Sequence, residues 1–356
     1  MSSLPLLFVT IGPSSLNTET LRLVSEEKVN LLRINLSHTP LEKLEQTIQF
    51  IQDNSDVPVC LDSEGAQIRN ELMANGSVVY IMGDTVKIHF DEVLGDAHNI
   101  SFTPKNIAKE LELGVGVRVD FNSVYLRVFE KNKDFCLAKV ERGGSVGNKK
   151  ATDFEMKVHL APITEKDRKS IRIGKKMGIK DFALSFASGE PAVKQMRELV
   201  GTKSAIISKI ECLAGLNNLL GIMGSSDQIL IDRGDLSRQV PIAQIPFLQR
   251  RIISMARSKS VPVLVATNLL ESMVKSLEPT RAEVNDVVST LLMGANGLVL
   301  AAETAVGDFP VESVRMINQL IDQFQRWTPN TSINEILDNY PAELFTRQHL
   351  NIQHGA

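Results

Sequence analysis

The sequence predicts an α/β protein, a (β/α)₈ TIM barrel with a small β-barrel lid domain inserted after its third strand. Short apolar runs rich in β-branched residues recur along the chain, and most are followed by a stretch with helical periodicity. The alternation breaks once, between about residues 70 and 160. With 356 residues, 43% of them hydrophobic and 23% charged, the chain is long enough for one large domain and a smaller insertion.

The apolar runs predict the barrel strands. They are nearly continuous, as in a parallel sheet that is covered on both faces. The eight runs are LLFVTIG (6–12), NLLRINLS (30–37), VPVCLDSEG (57–65), DFALSFA (181–187), SAIISKIE (204–211), QILIDRGDL (228–236), VPVLVATN (261–268) and GLVLAAET (297–304). Eight strands with helices between them close a (β/α)₈ barrel. An open doubly wound sheet is the alternative, but it usually needs a G-x-G-x-x-G first turn, which TIGPSSLNTE does not supply.

The interruption predicts the lid. Between residues 70 and 160 the segments SVVYIMG, TVKIHF, VGVRVDF, VYLRVFE and FCLAKVE alternate polar with apolar residues, which is typical of strands. Loops after barrel strands form the active-site face, so an insertion there predicts a lid over the site. The predicted domains are a catalytic barrel (1–69 and 161–331), the lid (70–160) and a C-terminal tail (332–356) that holds a peripheral helix.

Composition excludes several classes of partner. The net charge of −3 comes from 39 basic and 42 acidic residues without a charged block, so neither nucleic acid nor a membrane surface is an expected partner. The three cysteines lie far apart without metal-ligand spacing, which predicts buried thiols in a reducing cytoplasm. The N-terminal apolar run has no basic segment before it and predicts a first strand rather than a signal peptide.

Polar residues cluster where the predicted strands end, which is where a barrel holds its active site. Glu211 and Asp235 end neighbouring strands and can share Mg²⁺ or Mn²⁺. Lys209 lies two residues before Glu211, so both side chains point inward and an ammonium stands beside the metal. Arg33 and Arg69 have the geometry to hold phosphate oxygens. Together they predict an enzyme that uses a divalent metal to handle a phosphorylated enol or enolate.

Any one of these residues has a plainer interpretation. A single lysine or glutamate at a strand end is more often solvated or paired than catalytic. His38 is as compatible with a structural role as with binding. Thr304 is expected to be a hydrogen-bonding core residue.

Motifs along most of the chain resemble one family. They are TIGPSS (10–15), LLRINLSH (31–38), LDSEGAQIR (61–69), VERGGSVGNKK (140–150), LAPITEKD (160–167), IISKIE (206–211), IDRGDL (231–236), VPVLVATNLLESM (261–273), EPTRAEVNDV (278–287) and AAETAVGDFP (301–310). In this order they resemble the pyruvate kinases from about residue 6 to 324. The resemblance implies phosphoryl transfer from phosphoenolpyruvate to ADP, giving pyruvate and ATP.

The resemblance also implies a role for each matching residue. Arg33 would hold the phosphate, Lys209 would stabilise the transferred phosphoryl group and the enolate, and Thr267 would line the protonation face. The remaining implied sites are Glu211 and Asp235 for Mg²⁺ or Mn²⁺; the amides near Gly234 and Asp235 for the substrate carboxylate; Asn35, Ser37, Asp62 and Ser63 for K⁺; and Pro13, His38, Arg69 and Lys150 for the nucleotide.

Some positions depart from the family pattern. Glu64 replaces a lysine and Gln67 a glutamate that accompanies K⁺ dependence, so K⁺ dependence is left open. Asp232 adds an anion beside the expected carboxylate pocket, and Ala301 replaces a serine near the proton-delivery path. The chain also stops soon after its eighth helix, so we expect a short form that lacks the C-terminal effector domain and binds no sugar-phosphate effector; a homo-oligomer is left open.

Three functions are compatible with these residues. The first is an active kinase with pyruvate kinase chemistry. The second is an enzyme on the same scaffold that acts on a different enolpyruvyl or 2-oxo acid phosphate. The third is a non-catalytic paralogue that binds a metabolite. Retention of Lys209 beside two carboxylates argues against the third, because a binding protein has no need for a desolvated lysine there.

Overall fold

The computed structural model describes residues 4–120, 122–158 and 160–338. Its strands, in chain order, are β1 (Leu6–Ile11), β2 (Leu31–Asn35), β3 (Val59–Asp62), β4 (Ile68–Asn70), β5 (Ser77–Tyr80), β6 (Thr85–His89), β7 (Asn99–Thr103), β8 (Gly116–Val119), β9 (Val124–Lys131), β10 (Phe135–Arg142), β11 (Gly144–Gly147), β12 (Ala151–Phe154), β13 (Asp181–Leu184), β14 (Ala205–Ile210), β15 (Gln228–Asp232), β16 (Val263–Ala266) and β17 (Gly297–Leu300).

The predicted TIM barrel is confirmed. Within the described residues, eight strands form a closed barrel in the order β1-β17-β16-β15-β14-β13-β3-β2. The pairings are parallel, with Leu6 opposite Gly297 and Asp181 opposite Cys60. β16 and β17 are buried at every residue, which explains their unbroken apolar character, and β3 is buried at every residue although it ends in Asp62.

The inserted segment forms a second, smaller barrel, as predicted. In the described part of this segment, seven strands close in the order β10-β6-β7-β4-β12-β8-β9. Most neighbours are antiparallel, whereas β6 and β7 are parallel. Alternate residues point inward, so Val86, Ile88, Val117 and Leu126 are fully buried. The predicted strand SVVYIMG contains β5, which pairs with β11 in a separate two-stranded sheet.

Most helices lie in the periodic stretches between the predicted strands, whereas α7 and α10 occupy the ends of two runs that were predicted as strands. They are α1 (Thr18–Glu26), α2 (Leu41–Asn54), α3 (Glu165–Lys176), α4 (Glu190–Val200), α5 (Leu213–Asn217), α6 (Leu219–Ser225), α7 (Arg233–Leu236), α8 (Ile245–Ser258), α9 (Arg281–Leu292), α10 (Ala302–Ala305), α11 (Pro310–Arg326) and α12 (Ile333–Asp338). Thr164 and Thr280 begin α3 and α9 with capping boxes, which satisfy amides that a helix start leaves without partners.

The periodic stretch that follows the predicted strand SAIISKIE was expected to form one helix, and this expectation is wrong. The stretch CLAGLNNLLGIMG forms two short helices, α5 and α6, which meet at Asn218. Asn218 lies outside helical geometry with φ −109° and ψ 17°. Its side-chain amide donates to the carbonyl oxygens of Ser188 and Ala214 at 2.8 and 3.0 Å. A polar side chain that bonds nearby carbonyls competes with the helix for backbone partners, and the helix breaks there.

The chain folds into two compact units. In its described part, the first unit comprises residues 4–32, 54–57 and 264–338. Here the Thr10 hydroxyl donates to the Leu300 carbonyl at 2.6 Å, and the Thr304 hydroxyl donates to the Thr10 carbonyl at 2.8 Å. Thr304 is fully buried, so its predicted role as a hydrogen-bonding core residue is confirmed.

The second unit comprises residues 33–53 and 58–263 and holds β3, the second barrel and β13 to β15. The three cysteines are buried and free, as predicted. Among the described residues, no helix has the length and apolarity that crossing a bilayer requires. The predicted C-terminal tail (332–356) contains α12, and its residues 339–356 lie outside the described part of the chain.

Candidate active site

Lys209 lies at the centre of a buried group of charges where β14 ends. Its ammonium is 3.2 Å from a carboxylate oxygen of Asp62, 2.8 Å from Glu211 Oε1 and 3.7 Å from Asp232 Oδ2. It also donates to the Ser185 hydroxyl at 3.2 Å. Burial alone would lower the pKa of Lys209, but the carboxylates outweigh it and the pKa is raised. Lys209 therefore stays a cation in a site from which water is largely excluded.

Asp62 connects Lys209 to Arg33. The Arg33 guanidinium donates to Asp62 Oδ2 at 2.8 Å, and both side chains are almost fully buried. Asp62 Oδ1 accepts a hydrogen bond from the Ser185 hydroxyl at 3.2 Å. Sequence reasoning missed Ser185, although its position directly after β13 is the same kind of signal that identified the other strand ends. The carboxylate of Asp62 holds two cations side by side.

Glu211, Asp232 and Asp235 form a carboxylate cluster next to Lys209. One oxygen from each lies within 4.8 Å of the others. Burial, reinforced by Asp232 and Asp235, raises the pKa of Glu211 to about 8. Burial and then Asp232 also raise the pKa of Asp235. Carboxylates held this close repel one another, and a cation between them relieves the repulsion.

The donor set fits a hard divalent cation. Glu211 Oε2 accepts the Phe186 amide at 2.7 Å, whereas Glu211 Oε1 is buried and accepts no hydrogen bond although the Lys209 ammonium is near it. Asp232 caps α7 by accepting the Asp235 amide at 3.5 Å. Carboxylate oxygens of this kind are the usual ligands of Mg²⁺ and Mn²⁺. Asp232 was expected beside the site, and the structure makes it a member of the cluster.

Four cationic side chains act on His38, and two of them, Arg69 and Lys150, were predicted for the nucleotide side. Burial is the largest cause that lowers the pKa of His38, followed by Arg69, Lys166, Arg33 and Lys150. The charges of Arg69 and Lys150, which were predicted together with His38 for the nucleotide, both act on His38. Arg69 also donates to the Lys149 carbonyl at 3.0 Å, and the Lys150 ammonium is 3.8 Å from Asp120.

Residues predicted for K⁺ lie along the ends of β2 and β3. Asn35 Oδ1 accepts the Ser37 amide at 2.9 Å, and the Leu36 amide donates to the Asp62 carbonyl at 2.9 Å. The Ser63 hydroxyl accepts the Ser185 amide at 2.9 Å. The anion that a K⁺ ion would need, Asp62, already contacts two cationic side chains.

Three further residues belong to the first unit. Pro13 lies in the turn after β1, where the Ser15 amide donates to the Gly12 carbonyl at 2.9 Å. Thr267 follows β16 with φ +68°, a left-handed conformation that is costly for a β-branched residue and recurs at functional sites. Ala301 donates its amide to Glu303 at 2.9 Å.

The backbone turn that carries Gly234 and Asp235 is short and well bonded. The Gly234 carbonyl accepts the Ser237 hydroxyl at 2.7 Å within the single-turn helix α7. This helix follows β15 directly, so the turn lies at the strand end that also holds Asp232.

Fold and site together define a class: a TIM-barrel protein whose strand ends gather carboxylates around a buried lysine, in an arrangement suited to a divalent cation and phosphate. Comparison with known proteins is consistent with this. The profile of the pyruvate kinase barrel domain matches residues 6–314.

Pyruvate kinases from several bacteria are similar over most of the chain. That of Bacillus licheniformis is 33% identical over 323 residues, covering 87% of this chain and 55% of the relative. That of Methylorubrum extorquens is 32% identical over 323 residues, covering 89% of this chain and 68% of the relative. That of Corynebacterium efficiens is 32% identical over 321 residues, covering 88% of this chain and 68% of the relative.

The chain belongs to the pyruvate kinase family. It spans between about half and two thirds of the length of these relatives. The family uses a divalent metal in general, which agrees with the carboxylate cluster.

Proposed function

We propose that the chain transfers the phosphoryl group of phosphoenolpyruvate to ADP, giving pyruvate and ATP, as a cytoplasmic enzyme of glycolysis. The observation that carries this proposal is the buried Lys209 ammonium, which lies between Asp62 and the carboxylate cluster. A fixed cation next to a metal site is what a transferred phosphoryl group and a developing enolate require.

Glu211 and Asp235, joined by Asp232, would hold Mg²⁺ or Mn²⁺. When bound, the ion would neutralise charge on the phosphate and the substrate carboxylate. The amides near Gly234 and Asp235 would receive that carboxylate. Asp232 brings a third carboxylate to the cluster. Three carboxylates neutralise the charge of a divalent cation more fully than two would, so we expect Asp232 to strengthen cation binding.

Arg33 and Lys209 would act on the phosphoryl group itself. Arg33 presents a planar fork that can hold two phosphate oxygens. Lys209 would stabilise the negative charge that develops as the phosphoryl group leaves and the enolate forms. Asp62 holds both side chains in place before the substrate arrives, so the geometry is set in advance.

The remaining predicted residues complete the proposal. Pro13, His38, Arg69 and Lys150 would contact the nucleotide, and Thr267 would line the face on which the enolate is protonated. Asn35, Ser37, Asp62 and Ser63 would hold K⁺ if the chain depends on it, and turnover with and without K⁺ tests that dependence. We assign catalysis to the barrel (1–69 and 161–331) and nucleotide closure to the lid (70–160).

A different phosphorylated substrate and a non-catalytic role are not favoured. The relatives reported above all carry the name pyruvate kinase, and the residues expected to handle phosphate are present.

The proposal is tested by coupling pyruvate formation to lactate dehydrogenase. The purified chain is supplied with phosphoenolpyruvate, ADP and Mg²⁺ or Mn²⁺, with and without K⁺. We expect NADH oxidation that requires both substrates and the divalent metal, and that stops when the metal is chelated. Reactions without ADP serve as the control for phosphatase activity. No pyruvate under any of these conditions would contradict the proposal.

A further inference from the structure

Arg238 is a buried arginine that contacts two carboxylates in different parts of the second unit. It follows α7, and its side chain is only 4% exposed. One guanidinium nitrogen is 3.1 Å from Asp235 Oδ1, and the other is 2.6 Å from Asp153 Oδ2. Asp235 belongs to the carboxylate cluster, whereas Asp153 lies on β12 of the lid. The same side chain therefore touches the proposed metal site and the lid.

Burial makes these contacts necessary. A buried arginine is tolerated when nearby carboxylates compensate its positive charge. The planar fork of the guanidinium directs separate N–H groups at two acceptors at once. Asp153 and Asp235 lie 82 positions apart in the chain, so only the folded second unit brings them to one cation.

A metal ion at Asp235 would compete with Arg238 for the same negative charge. Both cations interact with the same Asp235 carboxylate, so a stronger interaction with one weakens the interaction with the other. When the cation takes Asp235, Arg238 is left to pair with Asp153. When Asp153 is neutralised, Arg238 is left to pair with Asp235.

We propose that Arg238 is a positioning residue that couples divalent-cation binding at Asp235 to the contact between the barrel and the lid at Asp153. This inference rests on the proposed function only in taking Asp235 as a metal ligand. Coupling of this kind is reciprocal: cation binding strengthens the contact between Arg238 and Asp153, and that contact strengthens cation binding. The contact of Arg238 with β12 and the loading of the site are thereby linked without a change in the metal ligands.

Asp153→Asn, Arg238→Met and the double variant are expected to change the Mn²⁺ dissociation constant in a pattern that a purely structural role of Arg238 would not produce. Free Mn²⁺ is measured by electron paramagnetic resonance during titration of the full chain. Asp153→Asn is expected to raise the Mn²⁺ dissociation constant by about fivefold, the lower end of typical coupling between sites. Arg238→Met is expected to lower it, because the competing cation is gone. Adding Asp153→Asn to Arg238→Met is expected to change nothing further.

Glu141→Gln is the matched control. Glu141 is also a lid carboxylate paired with an arginine, Arg127, at 2.7 Å, but it belongs to an ion pair on β9 and β10. Its neutralisation should leave the Mn²⁺ dissociation constant unchanged. An equal rise for Glu141→Gln and Asp153→Asn would show a general effect of lid charge and overturn the proposal.

Hydrogen exchange supplies a second readout. Saturating Mn²⁺ is expected to slow amide exchange in residues 151–156 of the wild-type chain and to have no such effect in Arg238→Met. If Arg238→Met does not fold, the Mn²⁺ dissociation constant of Asp153→Asn tests the coupling by itself. The Asp153 carboxylate is partly exposed and the substitution is nearly isosteric, so this variant is expected to fold. An unchanged Mn²⁺ dissociation constant in Asp153→Asn would overturn the coupling. Failure of the proposed function shows up separately, as absence of pyruvate from the wild-type chain.

Discussion

The carboxylate cluster where β14 and β15 end and the exposed ion pairs of the lid both place carboxylates beside basic side chains. On the lid, Glu155 accepts from the Tyr125 hydroxyl at 2.8 Å and pairs with Arg118, and Arg127 donates to the Tyr125 hydroxyl. The Tyr125 hydrogen bond is the largest cause that lowers the pKa of Glu155, an ordinary shift for an exposed carboxylate. In the cluster, burial instead raises the pKa of Glu211 to about 8.

The difference lies in access to water rather than in the residues. Water and salt screen the charges of exposed ion pairs, which therefore contribute little to stability. Buried charges interact strongly and need defined partners. Phosphoryl chemistry can use the buried group because its cations remain charged and fixed, which the lid surface does not provide.

The largest expected contrast between the two regions concerns activity. Lys209→Met should lower kcat for pyruvate formation by about three orders of magnitude or more, because a preorganised cation at the developing charge is lost. Arg127→Met on the lid should leave kcat within about twofold, the change expected away from a site. The coupled assay measures both. Near-normal turnover of Lys209→Met would break the assignment.

The next contrast concerns stability. Asp62→Asn removes the anion between Arg33 and Lys209 and leaves buried cations undercompensated, so the free energy of unfolding should fall by about 3 kcal/mol. Glu155→Gln in the exposed network should cost less than about 1 kcal/mol. Urea denaturation followed by circular dichroism compares the two. Equal losses would show that burial does not separate the regions.

The pH dependence of stability should also differ. Because the folded pKa of Glu211 is about 8, above that of an unfolded glutamate, the metal-free folded state binds this proton more tightly than the unfolded state does. The stabilising contribution of that proton is complete at low pH and is lost as pH rises from the unfolded pKa to about 8. Mg²⁺ needs the deprotonated carboxylate.

The rise in melting temperature on adding Mg²⁺ should therefore grow between about pH 6 and about pH 8. Glu211→Gln should remove most of this growth, and Glu155→Gln should keep it. Differential scanning fluorimetry across pH measures the effect. A Mg²⁺ effect that is independent of pH in the wild-type chain would contradict the pKa assignment.

The smallest effect on stability is expected from the exposed hydrogen bond between Tyr125 and Glu155 in the lid. Tyr125→Phe deletes the hydroxyl that donates to Glu155. Both groups are accessible to water, so the free energy of unfolding should change by less than about 1 kcal/mol, and activity should not change. Thermal unfolding with the coupled assay checks this. A larger loss would show that the exposed network supports the lid more than its exposure suggests.

The sequence predicted most of the fold because barrel strands and helices have distinct periodicities. The eight apolar runs all contain strands of one barrel, and the alternating segment forms the second barrel except for β5 and β11, which pair in a separate sheet. The break at Asn218 was not predicted, because it depends on a carbonyl of Ser188 that the chain brings near only on folding. Arg238 and Asp153 were missed for the same reason.

The candidate site was predicted less completely. Lys209, Glu211 and Asp235 follow from strand ends and spacing, since parallel strands end at one face. The position of Asp62 between two cations, and the membership of Asp232 in the cluster, depend on side-chain directions that no spacing gives. The raised pKa of Glu211 depends on burial, which only the folded chain defines.

Mn²⁺ binding tests the central claim, that burial turns these carboxylates into a cation site, most directly. Electron paramagnetic resonance titration compares the wild-type chain with the Glu211→Gln/Asp235→Asn double variant and with the lid double variant Glu141→Gln/Glu155→Gln. We expect a tightly bound Mn²⁺ in the wild type and in the lid variant, and its loss in the cluster variant. Equal Mn²⁺ binding by all three proteins would contradict the account.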